Sequence, residues 1–249
     1  MATIRTICIG SLLLAAAWAA PSAHAYLVRP TSAVASSQFT ASFDGRAVNT
    51  INGSGLPEKF CPNSVHADYT NGNHWTSAAS TNPTAQFITW GFDASTTLDA
   101  IHIWNHRSNV PPANNSGYEP VRFDLTLLDA SGATLLTLAS VQLAPDTPAA
   151  QTFSFGSAVP GVKSVRFNVL QTQSITNFTG LAEVAFNAPG TDPADFNLDG
   201  RVDTADLVPF LGLFGAAVTP GVQGDFNADG VVSTPDLVFF LGRFGLNCP

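Results

Sequence analysis

The chain has 249 residues, of which 45% are apolar and only 11% are charged, and it contains 20 Gly and 17 Pro. So few charges with so many helix-breaking residues exclude coiled coils and long charged helices. The net charge is −8, with 10 basic and 18 acidic side chains. This balance argues against nucleic acid as a partner, because phosphate contacts need clustered Lys and Arg. The acid is unevenly placed, since residues 191–249 hold eight Asp and two Arg.

Residues 1–25 have the pattern of an export signal. Arg5 provides the basic start, residues 7–20 are apolar, and residues 23–25 form a small-residue cleavage site. The mature chain is expected to begin at Tyr26, outside the cell or on its surface. The apolar stretch is too short for a stable anchor, and no later segment is long enough to span a bilayer.

The chain has three cysteines, and Cys8 leaves with the signal. Cys61 and Cys248 can pair, because exported proteins meet oxidising conditions. The alternative is that Cys248 is free or bonds to another chain, since sequence does not place the two thiols within bonding distance.

The body of the chain, residues 26–187, consists of short stretches of alternating apolar and polar residues. No part of it has sustained helical periodicity. Gly, Asn, Asp or Pro clusters bound each stretch, and residues 129–132 have the pattern of a hairpin turn. The predicted strands are residues 86–92, 99–104, 121–128, 134–143, 151–155, 162–170 and 181–186. We predict a mainly β fold, a β-sandwich of the jelly-roll type around one core.

Motifs spread over this body resemble the discoidin, or coagulation-factor type C, family of galactose-binding-like modules. The matching segments are the turn at 49–53, the Trp-Thr-Ser at 75–77, the strand pair at 86–92 and 100–105, residues 164–168 and residues 180–184. In many relatives the turn and the closing Glu help to bind a structural calcium ion. The resemblance places that site on Asn52 and Glu183. Because Asn52 lacks a carboxylate, a weaker site or none is expected.

Loops at one end of such a sandwich are the expected binding region. Sugar recognition combines an aromatic ring, which packs on the apolar side of the sugar, with fixed polar groups that bind its hydroxyls. The candidate ligand-binding residues are His74, Trp75, Asn105, His106, Arg107 and Tyr118. The alternative for Trp75, Trp90 and Trp104 is a place in the core. His102, inside an apolar strand, is expected to be buried and hydrogen-bonded.

The C-terminal part follows a predicted Pro/Gly-rich linker at residues 188–194. Residues 195–215 and 225–245 are repeats, identical at 15 of 21 positions. Each repeat spaces oxygen donors as a calcium loop does, with a Gly at the sharp turn. The predicted ligands are Asp195, Asn197, Asp199, the Arg201 carbonyl, Asp203 and Asp206 in the first loop, and Asp225, Asn227, Asp229, the Val231 carbonyl, Ser233 and Asp236 in the second. We predict that this module, residues 195–249, binds two Ca²⁺.

Each loop is followed by apolar residues at helical spacing, which predicts a short amphipathic helix. These residues are Leu207, Phe210, Leu211 and Phe214 in the first repeat and Leu237, Phe240, Leu241 and Phe244 in the second. The two helices are expected to pack face to face. The pair of repeats resembles the dockerin type I module. That resemblance implies calcium-dependent docking to a cohesin-like or cell-surface partner.

The sequence contains no motif of a nucleophile elbow or a zinc protease. Two carboxylates can still meet across a sandwich for glycoside hydrolysis, so catalysis stays open, although we expect none. The leading hypothesis is an exported binding protein, with a sandwich that binds carbohydrate or another extracellular ligand and a calcium-folded tail that anchors it. The alternatives are an accessory component or small enzyme of polysaccharide degradation, or a structural, adhesive surface protein.

Overall fold

Eight strands form most of the fold. The computed structural model describes residues 26–245 except 59, 80–82, 108–116, 174–176, 191, 200 and 223, so the predicted signal and Cys248 lie outside the described residues. The strands are β1 Tyr26–Val28, β2 Ser32–Ala35, β3 Trp75–Thr76, β4 Phe87–Asn105, β5 Pro120–Leu128, β6 Thr134–Gln142, β7 Gln151–Thr172 and β8 Gly180–Ala188. All the ladders between these strands are antiparallel.

The strand order is β1-β8-β4-β7-β5-β6, with β2 beside β4 and β3 beside β8. β4 has 19 residues and β7 has 22, and their pairing shifts register three times between Gly91 and Ala100. Such irregularities let one strand turn a corner and contribute to both layers of a sandwich. The predicted mainly β sandwich is confirmed, and its strands are antiparallel. The predicted strand boundaries are corrected, because β4 and β7 each join two stretches that were predicted as separate strands.

The main core lies between the two halves of the long strands. Trp90 contacts Phe167 in its own layer, at a ring-centroid distance of 6.0 Å, and Phe186 on the other side of the core at 6.2 Å. Its indole nitrogen donates to Thr50 Oγ1 at 2.8 Å. Trp75, Trp90 and Trp104 are all 0% exposed, so the alternative that placed the tryptophans in the core is confirmed. Truncating a buried Trp of this kind typically costs about 3–5 kcal/mol.

A smaller apolar cluster covers the outer face of β8. Phe60 packs edge-on against Trp104 at 5.3 Å, together with Ala182 and Ala185. His102 of β4 is 3% exposed and bonds to Thr152 of β7 and Asn187 of β8, each at 2.8 Å. The expected buried, hydrogen-bonded histidine is confirmed. Cys61, next to this cluster in the chain, is disulfide-bonded, and its partner lies outside the described residues.

Two helices follow the sandwich, α1 Thr204–Leu213 and α2 Thr234–Arg243. Each begins with a capping box, in which the side chains of Asp203 and Ser233 bind the first turn. Phe210 of α1 stacks on Phe240 of α2 at 5.0 Å, so the two repeats share one small core as predicted. Among the described residues, no helix has the length and hydropathy to cross a membrane.

Candidate functional site

The ends of four strands and two loops meet at one end of the sandwich. β4 ends there at Asn105, which pairs with Leu181 near the start of β8, and β7 ends where Thr172 pairs with Pro120, the first residue of β5. Backbone hydrogen bonds hold two further loops in place. Phe39 and Gly45 both bond to Thr76 of β3, and Tyr69 bonds to the Arg107 carbonyl. Residues far apart in sequence therefore converge at this end, which we call the loop end.

Six aromatic rings form a closed circuit at the loop end, which we call the aromatic rim. Neighbouring ring centroids lie 5.3–6.4 Å apart, within the usual range of aromatic contacts. Phe43 is 50% exposed, and most of the others are half-buried. The rim consists, in contact order, of Phe39, Phe43, Tyr69, His106, Tyr118 and Phe178. Its accessible surface comes from Phe43 and the half-buried rings, because His106 is only 2% exposed.

Three of the six predicted ligand residues belong to the scaffold beneath the rim. Trp75 is 0% exposed and donates through its indole nitrogen to the Ser37 carbonyl at 2.9 Å. The prediction of Trp75 as a stacking surface is therefore corrected, because its ring faces are covered by the core. Asn105, also fully buried, donates to the carbonyls of Pro120 and Ala144 and so ties β4 to the loops beside it.

His74 is the third scaffold residue, and its hydrogen bonds define its tautomer. The backbone amide of Arg107 donates to Nε2 of His74 at 3.3 Å, so the ring proton is on Nδ1, which bonds to Asn73 Oδ1 at 2.7 Å. Burial, together with the nearby His106 and His66, holds the pKa of His74 well below its usual 6.5. A neutral His74 positions Arg107.

Arg107 is held at the loop end by two contacts of its guanidinium group. Nη1 donates to the His66 carbonyl at 2.7 Å, and Nη2 lies 3.0 Å from Asp68 Oδ1. The side chain is 16% exposed. Arginine has five N–H donors in a fixed plane, so a fixed guanidinium can hold ligand oxygens at defined angles.

His106 and Glu119 form a buried pair under the rim. His106 Nδ1 lies 3.8 Å from Glu119 Oε1, and their side chains are 2% and 0% exposed. Neither oxygen of Glu119 has a hydrogen bond among the described residues. Gly180 permits this packing, since a Cβ there would collide with the His106 ring. The site thus contains a buried carboxyl group with unused hydrogen-bonding capacity, which is costly unless a ligand or water satisfies it.

A polar groove of about 400 Å³ adjoins the rim at Phe43. In its wall, Arg46 donates to both oxygens of Asp44, from Nε at 2.8 Å and Nη2 at 2.7 Å. The Arg46 bonds hold the pKa of Asp44 at about 2, against a usual 3.8. Thr40, Ser42 and Asn71 complete its polar lining.

Sequence reasoning identified His106, Arg107 and Tyr118 of the rim region but missed the rings of Phe39, Phe43, Tyr69 and Phe178, as well as the groove. The available signal was the Phe-Asp-Gly-Arg segment at 43–46, in which an aromatic ring and two opposite charges flank a turn glycine.

The predicted ion site at Asn52 and Glu183 is only partly assembled. The Gly53 amide donates to Glu183 Oε2 at 2.9 Å, so the turn does meet the closing Glu. The Asn52 side chain, however, donates to the Gly72 carbonyl of another loop and accepts from the Ser54 amide. Burial raises the pKa of Glu183 to about 8, opposed by the nearby Arg29. Oε1 of Glu183 is buried without a hydrogen-bond partner among the described residues, so the ion site stays a prediction.

The two C-terminal loops have the same geometry. Asp206 Oδ1 accepts the amides of Phe196 and Asn197 at 2.8 and 3.1 Å, and Asp236 repeats this with Phe226 and Asn227 at 2.8 and 3.3 Å. The predicted ligands Asp195, Asn197, Asp199, Asp225, Asn227 and Asp229 are drawn together by bonds within each loop. Asp203 and Ser233, predicted as ligands, cap the helices.

Three buried carboxylates of these loops have no cationic partner among the described residues. Asp206 and Asp236 are 0% exposed and Asp225 is 2% exposed, yet no Lys, Arg or His among the described residues pairs with them. No group of three or more His, Cys, Asp or Glu in the described part of the chain is spaced to hold a metal ion. The predicted calcium ligands are not such a group, because they include the side-chain amide oxygens of Asn and backbone carbonyl oxygens as well as carboxylates. Burying unpaired carboxylates is expensive, so the charge of the loops fits a bound cation.

No family model and no curated protein matches the chain. Several solved structures resemble the sandwich. A CBM32 of AlyQ in complex with 4,5-unsaturated mannuronic acid is 16% identical, with 65% of this chain and 97% of that chain covered and a TM-score of 0.44. A Clostridium perfringens CBM32 in complex with GalNAc-β-1,3-galactose is 16% identical, with 62% and 93% covered and a TM-score of 0.44. The lectin domain of Lectinolysin complexed with Lewis B antigen is 16% identical, with 64% and 92% covered and a TM-score of 0.45. Likeness at this level says nothing of what this chain binds.

Proposed function

We propose that the sandwich is a carbohydrate-binding module and that its ligand lies across the aromatic rim. The observation that supports this is the closed circuit of six rings, with Arg107 beside it and Glu119 beneath it. Rings of this kind pack against the apolar faces of sugars, while fixed donors and acceptors bind the hydroxyls. Tyr118 is the predicted ligand residue that contributes a half-buried ring, whereas His106, at 2% exposure, supports the neighbouring rings.

Glycan-array binding by the mature full chain tests this proposal. A defined set of glycans should bind, and Arg107→Ala should reduce the affinity because it removes fixed donors. Leu135→Ala changes an exposed apolar residue on β6, beside the hairpin at the opposite end of the sheet, and serves as the control. If no glycan binds, or if both variants bind like the wild type, the proposal fails. Protein binding without glycan binding would favour the adhesive alternative.

For the tail we propose a calcium-dependent anchor that works outside the cell after export. Asp206, Asp225 and Asp236, which are buried and have no cationic partner in the described part of the chain, support bound Ca²⁺ in both loops. Equivalent apolar side chains on the two helices support docking. Val208 and Leu211 of α1 are 71% and 51% exposed, and Val238 and Leu241 of α2 are 65% and 54% exposed. A cohesin-like domain or another cell-surface protein is the expected partner. Retention of the full chain on its source cells should be lost on chelation.

A further inference from the structure

Arg46 and Arg107, the two arginines that the described residues place at the aromatic rim, each contact an aspartate. Arg46 makes a two-pronged contact with Asp44, at 2.8 and 2.7 Å. Arg107 lies 3.0 Å from Asp68. Each cation therefore has its own carboxylate within direct contact. Residues 108–116 and 174–176, which border Arg107 and Phe178 in the chain, contain no Lys or Arg.

This pairing opposes the binding of acidic sugars. A uronate carboxylate would either displace Asp68 from Arg107 or bind beside it, and in both cases it would face the Asp68 carboxylate at short range. Exchanging one carboxylate for another gains little, and like charges placed together are unfavourable. Glu119 lies below the same surface and adds a further carboxyl group, and the chain as a whole carries a net charge of −8.

Neutral sugars meet no such conflict. A hydroxyl both donates and accepts, so it can bond to an arginine and to its paired aspartate at once. We propose that the rim selects uncharged sugars over uronic acids and other anionic sugars because Asp44 and Asp68 neutralise its arginines. This inference rests on the proposed carbohydrate-binding function and adds the class of ligand.

Matched oligosaccharides that differ in the carboxylate at C6 test the selectivity. Calorimetry with the full chain would compare galacto-oligosaccharides with galacturono-oligosaccharides and manno-oligosaccharides with mannurono-oligosaccharides, beside a wider neutral panel. We expect neutral ligands to bind about tenfold or more tightly than any uronate, a difference of about 1.4 kcal/mol. Uronates that bind as tightly as neutral ligands would overturn the inference but leave the proposed function standing. If no sugar of either class binds, both fail.

The variant Asp68→Asn tests the cause. It frees Arg107, so the ratio of uronate to neutral affinity should rise about tenfold, and added salt should reverse the rise. The control Asp129→Asn removes the same charge in the hairpin turn after β5, away from the loop end. Asn at this position keeps the oxygen that accepts from the Ser131 amide, so the turn is retained and the affinity ratio should not change. An unchanged ratio in Asp68→Asn, with its melting temperature intact, would contradict the role of the aspartate.

Discussion

Arg243, in the last helix, donates a hydrogen bond to the backbone carbonyl of Leu27 in the first strand. Its guanidinium also lies 3.5 Å from Asp192 and 5.0 Å from the ring centroids of Tyr26 and Phe239. The side chain is only 12% exposed. One residue of the C-terminal module therefore joins that module to the edge strand of the sandwich.

Arg243→Ala should weaken the coupling between the two parts. The substitution leaves the Leu27 carbonyl and the partly buried Asp192 without a charged donor, a loss of about 1–3 kcal/mol. Calorimetry should show a lower melting temperature or a separate, earlier transition of the tail. Arg201→Ala is the control, since that side chain is exposed and its carbonyl is retained. A melting profile of Arg243→Ala identical to that of the wild type would contradict the coupling.

Sequence patterns predicted the strands well but not their continuity. Residues 93–98 and 156–161 look like breaks, with Gly156, Pro160 and Gly161 in the second. The structure keeps both segments inside β4 and β7, because register shifts absorb the extra residues and the two glycines adopt positive φ angles of 79° and 77°. Alternation alone does not distinguish a bulged corner from a turn. β1, β2 and β3 were missed because two to four residues do not show a period.

Removing one ring of the aromatic rim should weaken glycan binding. The Tyr69 ring contacts both Phe43 and His106, at centroid distances of 6.2 and 5.4 Å, so Tyr69→Ala removes two ring contacts of the aromatic rim. We expect about a tenfold loss of affinity, which corresponds to one aromatic contact of about 1.5 kcal/mol. Tyr69→Phe keeps the ring and is the matched control, measured by calorimetry with the best array ligand. Equal losses in both variants would point to the hydroxyl instead of the ring.

The candidate site was only partly predictable for a physical reason. His106, Arg107 and Tyr118 flank strand ends, whose positions the alternating pattern reveals. Phe43 and Tyr69 come from irregular loops that no periodicity orders, and hydrogen bonds such as that from Tyr69 to the Arg107 carbonyl place them. Contacts between loops depend on the finished fold.

His102 should make the protein less stable in acid. Burial lowers the pKa of His102 below its usual 6.5, against the opposing hydrogen bond with Asn187, so the folded protein holds it neutral while the unfolded chain takes up a proton. Its stability contribution is complete above the unfolded pKa and is lost as the pH falls below it. At pH 5 the loss is at most about 2 kcal/mol.

The variant His102→Gln isolates this effect, because Gln can bond but does not titrate. Chemical denaturation at pH 7 and pH 5 should show a larger fall in the free energy of unfolding for the wild type than for the variant. Equal falls would mean that His102 does not carry the pH dependence.

Calcium should order the C-terminal module. Calorimetry should find about two Ca²⁺ per chain, and saturation at about 100 times Kd should stabilise the module by about 2.7 kcal/mol for each ion bound. The double variant Asp199→Ala with Asp229→Ala removes one carboxylate from each loop, where each accepts the amide two residues later. It should abolish the uptake and the calcium-induced rise in helical circular dichroism, while each single variant keeps one ion. Asp129→Asn, in the sandwich hairpin, should bind calcium normally. If the double variant takes up calcium like the wild type, the two loops are not the sites.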